Sequence, residues 1–232
     1  MADLDDKIPG WSTREMWKYS EEWSFDGNPA LVINHMQMGI AGNGKFSGAP
    51  HSQELEAMKE LNTIEMQKKL IAAFRERNLP IVFISVVPNP IGYLPKWGYI
   101  FKMTGLVGPK GHLNNQELAE CCEVIPELGR LPEERILYHT GTCPMTGSHL
   151  DEYLRQFGVR DIVLTGWTAQ STLYNSLVQL TNAWYSVVVP KDATGGPLPS
   201  RDITELVLKK MMRMWGLVTT VDDVIAHLPN NK

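Results

Sequence analysis

The sequence predicts a single α/β domain of three layers, in which a six-stranded parallel sheet is covered by helices on both faces. Short apolar segments alternate with helical patterns along most of the chain, which is typical of βαβ units joined by right-handed crossovers. The 232 residues suit one core, because a chain of this size buries roughly three quarters of its unfolded surface. With 43% hydrophobic and 21% charged residues, the composition is that of an ordinary soluble protein.

Six short apolar runs predict the strands, and periodic segments between them predict the helices. The strands are expected at residues 29–34, 79–87, 135–138, 161–165, 185–190 and 217–219. The helices are expected at residues 53–77, with Ser52 as N-cap, and at 148–157, 168–184, 200–214 and 221–228. Residues 89–113 contain three prolines and several aromatic residues and predict a long irregular excursion of the kind that often lines a site. Residues 1–28 are assigned to an N-terminal arm and 29–232 to the domain.

The composition and charge of the chain argue against binding to nucleic acid, to membranes and to metals. A net charge of −4 and a pI near 5.9, without a basic cluster, argue against nucleic acid. No apolar stretch is long enough to span a membrane, and residues 1–10 are acidic and unlike a signal peptide. We therefore expect a cytoplasmic protein. The three cysteines and six histidines show no metal-ligand spacing, so no metal and no cofactor are expected.

Four segments together resemble the isochorismatase-like hydrolases, also called cysteine hydrolases. "ALVINHMQ" resembles the first strand of the family with its D-x-Q ending, and "EVIPEL" resembles a loop phrase. "GVRDIVLTGWTAQSTLYNSLVQLTNAWYSVVVPKDATGG" resembles the strand, T-G turn and helix that present the nucleophile, and "LVTTVDDVIAHL" resembles the last strand and helix. The four occur in the family's order across residues 29–228, which makes the signal strong. The resemblance implies a Rossmann-like domain.

The resemblance also implies where the catalytic groups lie. The amidohydrolase branch uses an Asp, a Lys and a Cys, and these positions are assigned here to Asn34, His139 and Thr172. An amide cannot accept a full proton, and a hydroxyl is a poorer nucleophile than a thiolate unless a base lies against it. We therefore expect His139 to be the general base or acid, activating water or the Thr172 hydroxyl. Unpaired N–H groups at the start of the helix at 168–184 would stabilise an anion, and Asn34 would hold a water or a carbonyl.

Each of these residues also has an ordinary structural explanation. Asn34 could satisfy backbone groups at a strand end, His139 could bond a carbonyl in a turn, and Thr172 could cap or pack a helix. Cys143 could be a displaced nucleophile or a buried, inert thiol. The residues expected to contact substrate are Gln37, Trp97, Cys143, Trp167, Thr168, Gln170 and Ser171.

Two functions remain open from the sequence. The first is a hydrolase with an altered site that acts, without metal, on a small aromatic or cyclic amide, ester or enol ether. The zinc-binding D-x-H phrase of some relatives is replaced here by Ser85-Val-Val-Pro-Asn89, and aromatic residues between 93 and 101 suggest an apolar pocket for a ring. The second is a non-catalytic relative that binds small molecules or scaffolds an assembly. The N-terminal arm is rich in tryptophan, and members of the family are commonly oligomeric. Both observations predict a homo-oligomer, either a dimer or a tetramer.

Overall fold

A computed structural model describes residues 23–41, 51–87 and 115–229. Its strands are β1 (Ala30–Asn34), β2 (Ile81–Val86), β3 (Arg135–His139), β4 (Asp161–Trp167), β5 (Ser186–Pro190), β6 (Thr194–Gly195) and β7 (Leu217–Thr219). Its α-helices are α1 (Met38–Ala41), α2 (His51–Glu60), α3 (Thr63–Glu76), α4 (Asn115–Cys122), α5 (Leu150–Gln156), α6 (Tyr174–Asn182), α7 (Arg201–Leu206) and α8 (Val221–His227). None of the helices in these residues is long and apolar enough to cross a membrane.

The strands form one parallel sheet in the order β3-β2-β1-β4-β5-β7, with β6 beside the end of β4. This confirms the α/β fold and the six predicted strands. The seventh, β6, has only two residues, which pair with Gly166 and Trp167, and so short a strand leaves no apolar run in the sequence. Because the sheet is parallel, the carboxyl ends of β1, β3 and β4 all lie at one edge, where open α/β sheets bind their ligands.

Side chains of the central strands alternate between two cores, one on each face of the sheet. Leu31 and Ile33 of β1 pack with α2, α3 and α8, whereas Ala30 and Val32 pack with α5 and α6. β1, β2 and β4 are buried along their whole length, which explains why they read as continuous apolar runs.

Three predicted helices are divided in the structure. The helix predicted at 53–77 is interrupted at Asn62, whose φ of 57° is left-handed, a conformation that asparagine tolerates better than most residues. Ser52 lies inside α2, which begins at His51, so the predicted N-cap is wrong. The helix predicted at 168–184 begins with a π-helical turn, Ala169–Leu173, and the one at 200–214 continues from α7 through a π turn, Val207–Met211, to a 3-10 turn.

Trp23 fixes the described start of the chain to the domain. Its indole Nε1 donates to Asp223 Oδ2 at 3.1 Å, and its ring stacks on His227 with centroids 4.2 Å apart. Phe25 meets the same indole edge-on at 5.0 Å. The remainder of the predicted arm, residues 1–22, lies outside the described residues.

Candidate active site

The site lies at the carboxyl edge of the sheet, where β1 ends at Asn34 and β3 ends at His139. His35 follows β1 in a left-handed conformation with φ 56°, while its N–H still donates to Ile84 O at 2.8 Å as if the strand continued. This turn places the His35 imidazole across the strand ends. Asn34, His35, His139 and Thr172 are all buried.

A continuous hydrogen-bonded chain joins Thr172, His35 and His139. Thr172 Oγ1 lies 3.2 Å from His35 Nδ1, and His35 Nε2 lies 2.8 Å from His139 Nε2. The two imidazole planes are inclined by only 23°, with centroids 5.0 Å apart, so the rings meet edge to edge. His139 therefore reaches Thr172 through His35 and not directly.

Burial sets the charge state of both imidazoles. It holds the pKa of His35 well below its usual range, with a smaller contribution from His139. Burial also lowers the pKa of His139 to about 4, although the backbone of Cys143 nearby favours the protonated ring. Both rings are therefore neutral at pH 7, because an uncompensated charge in a buried site is unfavourable.

The direction of these hydrogen bonds depends on the tautomers of the two imidazoles. In a hydrogen bond between two neutral imidazoles, one Nε2 donates and the other accepts. Within the part of the chain that the structure describes, Nδ1 of His139 is buried and lacks a partner in hydrogen-bonding geometry, and the nearby Cys143 backbone favours the protonated ring. In the tautomer with the proton of His139 on Nδ1, which the proposed reaction uses, its Nε2 accepts from His35 Nε2. His35 Nδ1 is then the acceptor for the Thr172 hydroxyl.

A second chain of hydrogen bonds connects Asn34 to the backbone of Thr172. Asn34 Nδ2 donates to Ser176 Oγ at 2.9 Å, and Ser176 Oγ donates to Thr172 O at 2.6 Å. Asn34 and Ser176 are fully buried, and Asn34 Oδ1 has no hydrogen-bond partner among the described residues. Asn34 therefore contacts α6 and leaves the imidazole chain to its neighbour.

Thr172 is carried by a turn of unusual backbone geometry between β4 and α6. Gly166 has φ 129°, and the Trp167–Thr168 peptide bond is cis. In the π turn, Leu173 N donates to Thr168 O at 3.1 Å, and the Thr168 and Ser171 hydroxyls lie 2.6 Å apart. Thr168, Gln170 and Ser171 thus share the turn that carries Thr172.

The other residues expected to contact substrate are placed variously. Gln37 is buried and binds backbone groups, donating to Val86 O and Cys121 O and accepting from Val86 N. Trp167 is buried and donates to Glu54 Oε2 at 2.6 Å, and Gln170 Oε1 accepts from Thr204 Oγ1 at 3.1 Å. The Cys143 thiol is buried with a raised pKa, caused mainly by that burial, and its backbone lies near His139. Trp97 lies outside the described residues.

Two residues of this site were given no catalytic or positioning role from the sequence: His35, expected only to flank the cleft, and Ser176. The D-x-Q phrase indicates His35. In this phrase the Asp precedes the Gln by two positions, and two positions before Gln37 is His35 and not Asn34. Nothing in the sequence marks Ser176, one of several polar residues in its helix. Among residues 23–41, 51–87 and 115–229, no three His, Cys, Asp or Glu side chains are grouped as metal ligands.

The fold and the site define a three-layer α/β protein with buried polar groups at the carboxyl edge of a parallel sheet. Residues 29–223 match the family model of the isochorismatase domain. The chain belongs to the isochorismatase family. A comparison with curated proteins gives no match.

Solved structures agree with this membership. An isochorismatase family protein from Burkholderia thailandensis is 25% identical with a TM-score of 0.65, and the match covers 89% of this chain and 99% of that one. A cysteine hydrolase from Pseudomonas syringae pv. phaseolicola 1448A is 16% identical with a TM-score of 0.67, covering 89% and 97%. N-carbamoylsarcosine amidase from Thermoplasma acidophilum is 22% identical with a TM-score of 0.59, covering 84% and 98%. The last two are similar in fold.

Proposed function

We propose that this protein is a hydrolase with an altered active site, which cleaves a small aromatic or cyclic amide, ester or enol ether without a metal. The single observation that carries the proposal is the hydrogen-bonded chain from Thr172 through His35 to His139. A hydroxyl against a base whose other nitrogen is oriented by a third group is the general arrangement for activating a nucleophile. Family membership with a cysteine hydrolase and an amidase among the structural relatives supports the reaction class.

For an amide or ester, the reaction uses the tautomer in which His35 Nδ1 accepts from the Thr172 hydroxyl. Thr172 Oγ1 attacks the carbonyl carbon as its proton passes to His35 Nδ1, and the carbonyl electron pair moves to the oxygen. The first N–H groups of the Ala169–Leu173 turn, those of Ala169 and Gln170, have no intrahelical acceptor at a helix start and are the donors for that oxyanion. Collapse breaks the bond to the amine or alcohol, which takes the proton from His35. Water then cleaves the acyl–threonine ester by the same proton transfers.

A second route uses the same base without a covalent intermediate. His35 accepts a proton from a water molecule, and the hydroxide attacks the substrate while Thr172 orients His35. In both routes, His139 accepts the hydrogen bond from His35 Nε2 and stabilises the imidazolium that forms. The low pKa of His35 keeps it unprotonated at neutral pH, although a base of low pKa gives a smaller driving force for proton transfer.

Paired variants test the role of the hydroxyl and the imidazole. On a panel of small amides, esters and enol ethers, with products followed by mass spectrometry, Thr172→Val and His35→Asn are expected to lower kcat/KM by about 10²- to 10⁴-fold, since each removes a proton-transfer contact. Asparagine suits the left-handed backbone at residue 35. The control is Thr181→Val, which deletes a hydroxyl of α6 that is bonded to Trp215 O at 2.8 Å. This variant should keep the wild-type kcat/KM. An acyl adduct on Thr172 distinguishes the covalent route.

The opposite result identifies the alternative function. If ligands raise the melting temperature of the wild type without any product, the protein is a binding relative and the hydrolase proposal fails. Unchanged turnover in His35→Asn would exclude the proposed base.

Rebuilding the family's residues tests which positions correspond. Asp, Lys and Cys at 35, 139 and 172 are expected to give a thiol that reacts with iodoacetamide near neutral pH and amidase activity, because the carboxylate then occupies the position of the His35 ring. The matched variant with Asp at 34 keeps His35 beside the thiol, so its thiol can still react, but it should gain no amidase activity. A buried carboxylate at 34 would face the oxygen of Ser176, whose proton is donated to Thr172 O. Gain of activity in the second variant alone would refute the assignment of His35.

A further inference from the structure

Ser176 has a single hydroxyl proton, and the acceptor of that proton determines whether residue 34 must donate or accept a hydrogen bond. The Ser176 oxygen lies 2.6 Å from Thr172 O, a carbonyl that can only accept, so the proton is donated there. Towards Asn34, at 2.9 Å, the same oxygen can then only accept. Residue 34 must therefore supply a donor, which an asparagine amide does and an ionised aspartate does not.

The geometry of the turn explains why such a contact is needed. Thr172 lies in a π turn, in which the regular i to i−4 hydrogen bonds of an α-helix are displaced by one residue. Ser176 lies in α6 and Asn34 at the end of β1, so the two hydrogen bonds join the sheet, the helix and the Thr172 carbonyl. All three residues are buried, where a hydrogen bond is stronger and an unpaired group more unfavourable than in water.

We propose that Asn34 and Ser176 are positioning residues, which hold Thr172 Oγ1 within reach of His35 Nδ1, and that Asn34 transfers no proton in the reaction. This inference rests on the proposed function, since it assigns a purpose to the position of Thr172. It also separates the roles of adjacent residues. Residue 35 handles the proton, and residue 34 fixes the geometry through Ser176.

A cysteine at residue 172 reports on this position without any substrate. In the full-length Thr172→Cys protein, the rate of alkylation by iodoacetamide is measured from pH 5 to 10. Because His35 Nδ1 accepts the thiol proton, half-maximal reaction is expected at least one pH unit below the roughly 8.5 of a free cysteine. Adding His35→Asn should abolish that shift.

Removing the Ser176 hydroxyl is the decisive comparison. Thr172→Cys with Ser176→Ala is expected to move the half-maximal pH back towards 8.5 and to slow alkylation at pH 7 about tenfold, while Ser176→Thr, which keeps the hydroxyl, restores the Thr172→Cys profile. The control, Thr172→Cys with Thr181→Ala, loses a comparable hydrogen bond of α6 and should keep that profile.

The outcomes separate this inference from the proposed function. An unchanged profile in the Ser176→Ala protein, with lower thermal stability alone, would make the contact merely structural and overturn the inference. A Thr172→Cys profile that His35→Asn leaves unchanged would overturn the proposed base instead. If Ser176→Ala does not fold, Asn34→Leu in the Thr172→Cys protein replaces it, because it deletes the other hydrogen bond of Ser176, and a profile like that of Thr172→Cys alone would count against the inference.

Discussion

Replacing Gly166 by alanine is expected to destabilise the protein by about 4 kcal/mol or more, a loss in the exceptional range for one substitution. A Cβ at this position would lie 2.1 Å from Asn34 O and 2.7 Å from Asn34 N. Both atoms belong to the backbone of β1, which is paired with β4 in the centre of the sheet, so they cannot move aside as a flexible side chain would. The left-handed φ of 129° adds further strain.

A second glycine provides the matched control for Gly166. Gly141 has nearly the same φ, 125°, but a Cβ there meets no atom within 4 Å. Gly141→Ala should therefore show only the backbone penalty, about 1–3 kcal/mol. Urea unfolding at constant slope measures both values. Equal destabilisation of the two variants would mean that close approach of β1 and β4 does not matter.

Acid is expected to destabilise the protein through the His35–His139 pair. Burial lowers the folded-state pKa of His139 to about 4, whereas an unfolded chain binds this proton near pH 6.5. Between these values the unfolded state binds more protons, so the stabilising effect is complete above pH 6.5 and is lost as the pH falls towards 4. At about 1.4 kcal/mol per pKa unit, the loss from His139 alone is about 3 kcal/mol, and His35 acts in the same direction.

The measurement compares the pH dependence of unfolding in two variants. His139→Gln removes one titrating ring and keeps an amide that can bond His35, so its free energy of unfolding should fall less steeply than that of the wild type between pH 7.5 and 4.5. His149→Asn changes a histidine whose side chain is 83% exposed, at a left-handed position that asparagine tolerates, and it should follow the wild type. Identical slopes in all three proteins would contradict the buried neutral pair.

The strands were predictable from the sequence because burial on both faces produces apolar runs such as Ala30–Asn34 and Asp161–Trp167, whose length is typical of strands and shorter than that of most helices. Helix interruptions were not predictable. Asn62 and the π turns lie within sequences in which the helical spacing of apolar residues continues. This spacing indicates which face of the segment is buried, but it does not show where the backbone leaves the regular α-helix.

The place of the candidate site at one edge of the sheet was predictable, but the contacts within it were not. The resemblance assigned both His139 and Thr172 to this edge, although only Thr172 lies in one of the four quoted segments. His35 could not be assigned from strand alternation, which points residues 34 and 35 to opposite faces; the left-handed backbone after β1 overrides that rule. Which residue bonds which depends on ring orientation and proton positions, which a linear pattern does not encode.

The left-handed turn at His35 brings two neighbours in the chain to the candidate site from different sides. With the proposed roles, a substitution at residue 35 changes the acidity of the group beside Thr172, while residue 34 preserves the shape of the turn that carries Thr172. The acid–base group can then be exchanged at one position without loss of the contacts made by the other.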